Sequence, residues 1–310
     1  MSYAPGIEEF VGRCNAVMPP DFYTYPLDEQ RRLYQSLVVE FPYDVPSDVS
    51  WSEQDVIHRQ LPTRFRFYEP AQTLHAGLVI YIRGGGFVVG SLDTHHSAAA
   101  EIASKASVKV MAVDFRLAPE HPFPGALEDC YAALVYACEN AALLGIDPRR
   151  IVIAGDSSGA NMAVVIAMMC RDRNGPELAG QALISPVLDF TRWQEGGDDA
   201  PLLTGGEMEF YTACYSPDAQ TVSHPYISPL IAGNFEGLPK AYIMGAEKDS
   251  LAIDAEQYAH KLQEQGVDVE WVIEPGMVHA AIRARSLSPS VQDAWDRYCA
   301  KIGEMLGAAS

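Results

Sequence analysis

Strands that alternate with helices constrain the fold of this chain more than any other feature of its sequence. The segments GLVIYI (77–82) and KVMAVDF (109–115) are continuously apolar, as strands are when helices cover both faces of a sheet. Further apolar strands and helical segments then alternate along the chain, a pattern that predicts a parallel sheet with right-handed crossovers. The strands are predicted at 151–155, 181–185, 240–246 and 268–274, and the helices at 124–140, 157–172, 252–265 and from about 290.

Two earlier segments, VIHRQL (56–61) and RFRFY (64–68), alternate between polar and apolar residues, which is typical of half-buried antiparallel strands. The expected fold is therefore an α/β fold with a mostly parallel, eight-stranded sheet flanked by helices. Helical patterns near 7–18 and 27–39 precede every strand, so we expect these two helices to pack over the sheet.

Residues 189–225 interrupt the alternation and are rich in glycine, acidic and aromatic residues. We expect them to form an inserted segment above the sheet that completes a helical cap with residues 1–50. The remaining segments, 51–188 and 226–310, then form the α/β core. Three aromatic residues of the insertion could either line a substrate pocket or pack within the cap: Trp193, Phe210 and Tyr211.

The composition disfavours several classes of partner. The chain has 22 basic and 41 acidic side chains, and its net charge of −19 repels the phosphate backbone of nucleic acids. Its six cysteines include no C-x-x-C pair, and His95 and His96 have no third ligand at a suitable spacing, so no metal site is expected. The N-terminal sequence lacks the pattern of a signal peptide, and the longest apolar run, 162–170, is about half a membrane span. We expect a cytoplasmic protein that binds neither nucleic acid nor membranes.

The sequence IVIAGDSSGAN contains a G-x-S-x-G motif with Ser157 at its centre. A buried strand ends before this serine and an apolar helix follows it, so the turn exposes Ser157 at the carboxyl end of the sheet. Gly155 and Gly159 let neighbouring backbone pass closely. The pattern predicts a serine nucleophile. The alternative is a structural role, in which Ser158 caps a helix that starts at Asn161.

A serine nucleophile needs a base, and it needs hydrogen-bond donors for the oxyanion. The segment YIRGGGFVVGS (81–91) follows an apolar strand, and its three successive glycines leave backbone N–H groups free to point at one oxygen atom. The segment matches neither of the phosphate-binding patterns G-x-G-x-x-G and G-K-[ST]. A flexible hairpin is the alternative, but it leaves the combination with Ser157 unexplained.

Two further residues lie just beyond later strands, in the chain order of serine, acid and histidine that such a turn requires. Asp249 follows the strand KAYIMGA, and His279 follows the strand VEWVIEP. In an open parallel sheet both positions face one crevice. We predict that His279 takes the proton of Ser157 and that Asp249 orients the imidazole. Glu247 and Asp254 are the alternative acids.

Over nearly its whole length the chain resembles the hormone-sensitive-lipase-like branch of the α/β-hydrolase fold, the bacterial acetyl-esterase group. The resemblance implies hydrolysis of carboxylic esters with short acyl chains, a helical cap, and no metal or organic cofactor. It assigns the oxyanion donors to the N–H groups of Gly85, Gly86 and Ser158, with Gly84 supporting the loop. Family members often form homodimers, which this sequence does not decide. The resemblance rests on TRFRFYEP (63–70), RGGGFVVGS (83–91), DFRLAPEHPFPGALEDCYAAL (114–134), AGDSSGAN (154–161), ISPVLDF (184–190), HPYISPL (224–230), the Asp249 segment and GMVH (276–279).

Arg83 departs from the family, which usually has a histidine before the glycines. That histidine braces the loop, and the guanidinium of Arg83 has the donors to do the same. A second hypothesis is that Arg83 favours esters that carry a carboxylate. Ser158, where the family usually has alanine, keeps its backbone donor.

Together these features predict a serine carboxylesterase that cleaves a small ester through an acyl-enzyme. An amidase or formamidase would use the same triad. Receptors of the same fold bind a ligand without turnover, but they characteristically lose the histidine that is present here as His279. A long-chain lipase is a further alternative, although the chain has no obvious strongly apolar lid.

Overall fold

The computed structural model describes residues 2–58, 61–74 and 76–307. Its strands are β1 (Val49–His58), β2 (Leu61–Pro70), β3 (Leu78–Ile82), β4 (Lys109–Asp114), β5 (Ile151–Asp156), β6 (Gly180–Ile184), β7 (Ala241–Ala246) and β8 (Val269–Glu274). They form one eight-stranded sheet in the order β1-β2-β4-β3-β5-β6-β7-β8. Strand β2 pairs antiparallel with β1 and β4, and the remaining neighbours are parallel. The prediction of a mostly parallel eight-stranded sheet is confirmed.

The first strand is longer than the sequence predicts. Strand β1 begins at Val49 rather than at residue 56, and most of its side chains are exposed on both faces. Hydrophobic alternation therefore does not mark its first half. Backbone pairing with β2 holds it instead, from Val49 opposite Pro70 to His58 opposite Leu61. Of the predicted strand 56–61, only residues 56–58 belong to β1, because residues 59–60 lie outside the described residues and Leu61 begins β2.

Helices cover both faces of the sheet. They are α1 (Ile7–Val17), α2 (Leu27–Glu40), α3 (His96–Lys105), α4 (Gly125–Glu139), α5 (Ala141–Leu144), α6 (Ser158–Asp172), α7 (Gly205–Tyr215), α8 (Ala252–Glu264) and α9 (Pro289–Met305). One apolar core lies beneath α4, α6 and α8, and a second lies beneath α3, α9 and α1. Strand β3 contributes to both, because Ile80 and Ile82 face the first core while Val79 and Tyr81 face the second. This two-sided burial explains why the central strands are continuously apolar.

The insertion at 189–225 contains one helix, α7, that the sequence patterns above do not predict. Two glycines at its start lower its helical propensity and conceal it. A capping signal is nevertheless present, because Thr204 and Glu207 have the T-x-x-E spacing and the Thr204 hydroxyl oxygen accepts the Glu207 N–H at 3.1 Å. Helix α7 contacts the short helical turn Phe22–Thr24 and so joins the insertion to the N-terminal segment. Across the described residues, no helix has both the length and the apolar character needed to cross a membrane.

Candidate active site

The turn between β5 and α6 holds Ser157 in an unusual backbone conformation, with φ 52° and ψ −119°. This region is sparsely populated for residues other than glycine and costs on the order of 1–3 kcal/mol. The fold holds the turn in place because the Ser157 N–H donates to the carbonyl of Ile184 at 2.8 Å. A Cβ atom at Gly159 would overlap the carbonyl oxygen of Ile82, so only glycine lets α6 approach the end of β3 this closely.

A capping role for Ser158 is contradicted by the position of the helix. Helix α6 begins at Ser158 itself and not at Asn161. Within the described part of the chain, the Ser158 hydroxyl has no hydrogen-bond partner. The serine that precedes the helix, Ser157, makes no side-chain cap either. Its hydroxyl is therefore available for other contacts.

His279 connects Ser157 to Asp249. The imidazole Nε2 lies 3.1 Å from the Ser157 Oγ, and the Nδ1 lies 2.7 Å from an Asp249 carboxylate oxygen. A carboxylate accepts and does not donate, so Nδ1 carries the proton and Nε2 is left to accept from the serine hydroxyl. The second Asp249 oxygen accepts the Leu251 N–H at 2.9 Å, which fixes the carboxylate. These three side chains, which the sequence predicts to act together, lie in one hydrogen-bonded line.

The electrostatics of this line favour proton uptake by His279. Burial disfavours the imidazolium, but the charge and the hydrogen bond of Asp249 outweigh burial and raise the pKa of His279 above its ordinary value. The Asp249 side chain is fully buried, so solvent screens this attraction only weakly. The arrangement supplies a base that gains a proton readily and an acid that stabilises the resulting cation.

The alternative acids lie elsewhere. Glu247 accepts the N–H of Gly276 at 2.8 Å. Asp254 forms an ion pair with Arg192 and accepts the N–H of Leu188 at 2.7 Å. Burial raises the pKa of Asp254 to about 7. Both carboxyl groups thus have backbone or ion-pair partners of their own, and the carboxylate that His279 contacts is that of Asp249.

The glycine loop after β3 lies beside Ser157. Gly85 and Gly86 have φ values of 122° and 56°, which residues with side chains rarely adopt. Among the described residues, the N–H groups of Gly85, Gly86 and Ser158 donate to no protein atom. The Gly84 N–H instead donates to an Asp156 carboxylate oxygen at 3.1 Å, which ties the loop to the serine turn. The three free donors thus border the same cavity as the serine hydroxyl.

Arg83 supports this loop from below. Its Nη1 donates to the carbonyl oxygens of Gly84 at 3.0 Å and Val89 at 2.8 Å, and its guanidinium carbon lies 4.4 Å from the centre of the Phe115 ring. The side chain is buried, and Arg83 lies outside the set of described residues that line the active-site cavity. These contacts favour the bracing role over direct recognition of a substrate carboxylate.

Comparison with known proteins identifies the family. A family model described as the α/β-hydrolase fold matches residues 79–283. The chain belongs to this family. It is 38% identical over 255 residues to carboxylesterase NlhH from Mycobacterium tuberculosis, a match that covers 80% of this chain and 79% of the relative. It is 33% identical over 278 residues to an ethyl acetate hydrolase from Pseudomonas putida, with 84% of each chain covered. The structure of a hyperthermophilic esterase from Pyrobaculum calidifontis matches with a TM-score of 0.89 and 30% identity, over 98% of this chain and 99% of that one.

This α/β hydrolase is a carboxylic ester hydrolase of the hormone-sensitive-lipase-like group. The carboxylesterase and the esterase structure named above are matched along most of both chains. Among its described residues, no group of three or more His, Cys, Asp or Glu side chains is arranged to hold a metal ion.

Two buried residues of the hydrolase site, Asp156 and His95, do not follow from the sequence argument. One Asp156 oxygen accepts from the Tyr81 hydroxyl at 2.7 Å, in addition to the Gly84 N–H, and the other lies 3.3 Å from the His95 Nε2. Burial opposes the charge of Asp156, but His95, the Tyr81 hydroxyl and the charge of Arg283 outweigh it and lower the pKa of Asp156 to about 2. The position of Asp156 immediately before Ser157 was the available signal. Nothing in the sequence pairs it with His95.

The hydrolase has a cavity of about 800 Å³, including its open mouth, above Ser157. Of the three aromatic residues of the insertion, Tyr211 lines this cavity, while Trp193 and Phe210 pack outside it. Glu207 also lines the cavity, and burial raises its pKa to about 7. The lining residues from 1–50 and 189–225 are Phe10, Cys14, Met18, Tyr34, Leu37, Phe190, Leu202, Leu203, Glu207, Met208 and Tyr211.

Proposed function

We propose that this hydrolase cleaves short-chain, acetyl-type carboxylic esters through an acyl-enzyme, with Ser157 as nucleophile, His279 as base and Asp249 as the acid that orients it. The observation that carries the proposal is the continuous line of contacts from the Ser157 Oγ through the imidazole to the Asp249 carboxylate, at 3.1 and 2.7 Å. Both distances lie within the range in which a proton can be transferred without moving the backbone.

In the acylation step, the Ser157 Oγ attacks the ester carbonyl carbon and its proton passes to the His279 Nε2. The negative charge that develops on the carbonyl oxygen is stabilised by the N–H groups of Gly85, Gly86 and Ser158, with Gly84 and Arg83 holding the loop. The tetrahedral intermediate then collapses. The bond to the alcohol oxygen breaks, and His279 gives its proton to the departing alkoxide.

In the deacylation step, a water molecule takes the place of the alcohol. His279 removes one proton from the water, and the resulting hydroxide attacks the acyl carbon. The second tetrahedral intermediate collapses, the bond to the Ser157 Oγ breaks, and His279 returns the proton to the serine. The products are the carboxylic acid and the free enzyme, so every atom and proton is accounted for.

A preference for short acyl chains has two sources of support. The ring of Tyr211 lies directly against Gly86, so the space above the oxyanion loop is narrow. The relative from Pseudomonas putida is an ethyl acetate hydrolase, and ethyl acetate has a two-carbon acyl group. We infer that acyl chains longer than a few carbons must displace side chains of the cavity wall.

We also propose that residues 1–50 and 189–225 act together as a cap over the 51–188 and 226–310 core, because both segments contribute side chains to the wall above Ser157. The cytoplasm is the compartment we propose for the enzyme. All six cysteines are free thiols, four of them buried, which suits a reducing environment.

The test is a series of p-nitrophenyl esters from acetyl to palmitoyl, assayed with the wild type and with Ser157→Ala. We expect the highest kcat/KM for the shortest esters and loss of turnover in Ser157→Ala. Ser52→Ala, which removes an exposed hydroxyl on β1, is the matched control and should behave as the wild type. Folded wild type that cleaves none of these esters would overturn the proposal. Equal rates on p-nitrophenyl acetate and p-nitroacetanilide would instead point to an amidase.

A further inference from the structure

One arginine places a cationic group on the wall of the active-site cavity. Arg283 lies four residues after His279, in the turn Ala281–Ala284, and lines the cavity. Its Nη1 donates to the carbonyl oxygen of Thr94 at 3.0 Å, and its Nη2 donates to the Tyr34 hydroxyl at 3.2 Å. These partners are neutral. The Tyr34 ring also faces the guanidinium, with its centre 5.2 Å from the guanidinium carbon, and stabilises part of the positive charge.

The absence of an acidic partner distinguishes Arg283 from its neighbours. Within the described part of the chain, no carboxylate lies within ion-pair distance of Arg283, whereas Arg285, two residues later, pairs with Glu101 at 2.9 Å. Arg66 likewise pairs with Glu53 and with Asp93. Among the described residues that line the active-site cavity, Arg283 is the single lysine or arginine.

The acids nearest to Arg283 in the same cavity have other partners. An Asp156 oxygen and the Arg283 Nη2 both lie near the His95 Nε2, at 3.3 and 3.4 Å, so the charge of Asp156 stabilises the guanidinium without an ion-pair contact. The other Asp156 oxygen accepts from the Tyr81 hydroxyl and the Gly84 N–H. The pKa of Glu207 is raised to about 7 by burial, so this carboxyl is largely protonated below neutral pH. Arg283 therefore has no ion-pair contact, among the described residues, that the anionic group of a ligand would have to displace.

A second cavity provides space for such a group. It measures about 900 Å³ including its open part, and it shares His95, Ile282 and Arg283 with the active-site cavity. Asp93, the carboxylate on this second cavity, is occupied by Arg66 at 2.7 Å. The remaining polar lining consists of Gln35, Tyr43, Thr94, His96, Ser97 and Arg285. Arg283 thus lies on the partition between the reacting serine and a polar, water-accessible space.

We propose that Arg283 is a specificity-determining residue that favours esters bearing a carboxylate on the acyl or on the alcohol part. This inference rests on the proposed function, because it places the reacting ester at Ser157. A guanidinium presents several donors in one plane and binds a carboxylate through charge-assisted hydrogen bonds, which are stronger than those between neutral groups. The net charge of −19 works against anionic substrates in general, so any preference for them must come from a local cation.

The experiment compares kcat/KM for two matched pairs of esters, each measured on the same enzyme. In the acyl arm, p-nitrophenyl hemisuccinate is compared with p-nitrophenyl valerate. In the alcohol arm, 3-acetoxypropionate is compared with n-butyl acetate in a pH-stat. The arm in which the wild type favours the carboxylate shows which part of the ester faces Arg283.

We expect Arg283→Gln to lower the ratio of carboxylate to neutral ester about ten- to a hundredfold in that arm, and Arg283→Lys to retain part of the preference. Arg150→Gln is the matched control, because Arg150 is an exposed arginine away from both cavities. It removes the same charge and should leave the ratio unchanged.

The ratio separates this inference from the proposed function. If the serine mechanism fails, the neutral esters are not cleaved at all. If only the role of Arg283 fails, the neutral esters are cleaved and the ratio is the same in wild type and Arg283→Gln. If Arg283→Gln does not fold, the ester preference of the wild type is measured at increasing NaCl concentrations and tests the inference by itself. A preference for the carboxylate ester that weakens as NaCl increases supports the inference, and no such preference in either arm overturns it.

Discussion

The two sides of the active site are built in different ways. On the sheet side, Ser157, Asp249, His279 and the glycine loop each follow the carboxyl end of a parallel strand. On the other side, which we propose to be a cap and call the cap side, the wall is made by side chains of residues 1–50 and 189–225, such as Met208. The sheet side carries the groups that we propose to react, and the cap side shapes the space around them. On a scaffold of this kind, the side chains of the wall can vary while the groups at the strand ends keep their positions.

Backbone hydrogen bonds account for the rigidity of the sheet side. The turn that carries the acid is bonded to the turn that carries the histidine, because the Lys248 N–H donates to the Met277 carbonyl at 2.8 Å. The Glu247 N–H donates to the Glu274 carbonyl at 3.0 Å in the same region. Such bonds fix the relative positions of strand ends, whereas the apolar contacts of the cap are non-directional.

The largest effect is expected from the acid on the sheet side. Asp249→Asn should lower kcat by about 10⁴, because an amide can donate to Nδ1 and so stabilise the wrong tautomer of the imidazole. The carboxylate also raises the pKa of His279, so its loss leaves burial dominant and moves the acid limb of the kcat/KM profile to lower pH. Initial rates between pH 5 and 9 test both points. Glu247→Gln is the control, and a loss of similar size in that variant would contradict the assignment.

A smaller effect is expected where the two sides meet. Gly86→Ala places a side chain at φ 56° and against the Tyr211 ring, so the oxyanion loop must shift. Loss of one oxyanion donor costs about 10²–10³ in kcat. The double variant Gly86→Ala with Tyr211→Ala distinguishes overlap with the Tyr211 ring from backbone strain at φ 56°, because it removes the overlap and keeps the strain. Activity of Gly86→Ala within about threefold of wild type would show that this loop does not need its observed conformation.

The smallest effect is expected on the cap side, in stability rather than rate. Burial raises the pKa of Glu207 from 4.5 to about 7. The contribution of Glu207 to the free energy of unfolding is therefore most favourable below its unfolded-state pKa of 4.5, and it is lost as the pH rises through 7. Glu207→Gln does not suffer this loss. The free energy of unfolding of Glu207→Gln minus that of the wild type should therefore be about 1–3 kcal/mol larger at pH 8 than at pH 4.5. Urea unfolding at both pH values measures the difference. Asp254, whose pKa burial also raises to about 7, is present in both proteins, so its effect cancels in the difference. Parallel stability profiles would show that Glu207 is not a buried ionisable group of the cap.

The same contrast explains what the sequence could predict. Strand ends are marked by continuous apolar runs, so the positions of Ser157, Asp249 and His279 follow from patterns and chain order. The exposed edge strand β1 and the helix α7 lack such patterns, because pairing partners and packing hold them in place. The contact between Asp156 and His95 joins residues that are far apart in the chain. No local signal encodes which cap side chains reach the cavity, since that depends on how separate helices pack.

The central claim is that Ser157 is the nucleophile, and covalent labelling tests it most directly. Wild type, Ser157→Ala and Ser158→Ala are treated with diethyl p-nitrophenyl phosphate and the modified residue is located by tandem mass spectrometry. We expect one diethylphosphoryl group per chain, on Ser157, in wild type and in Ser158→Ala, and none in Ser157→Ala. Labelling of Ser157→Ala at the wild-type rate, or labelling of wild type at a different residue, would contradict the account.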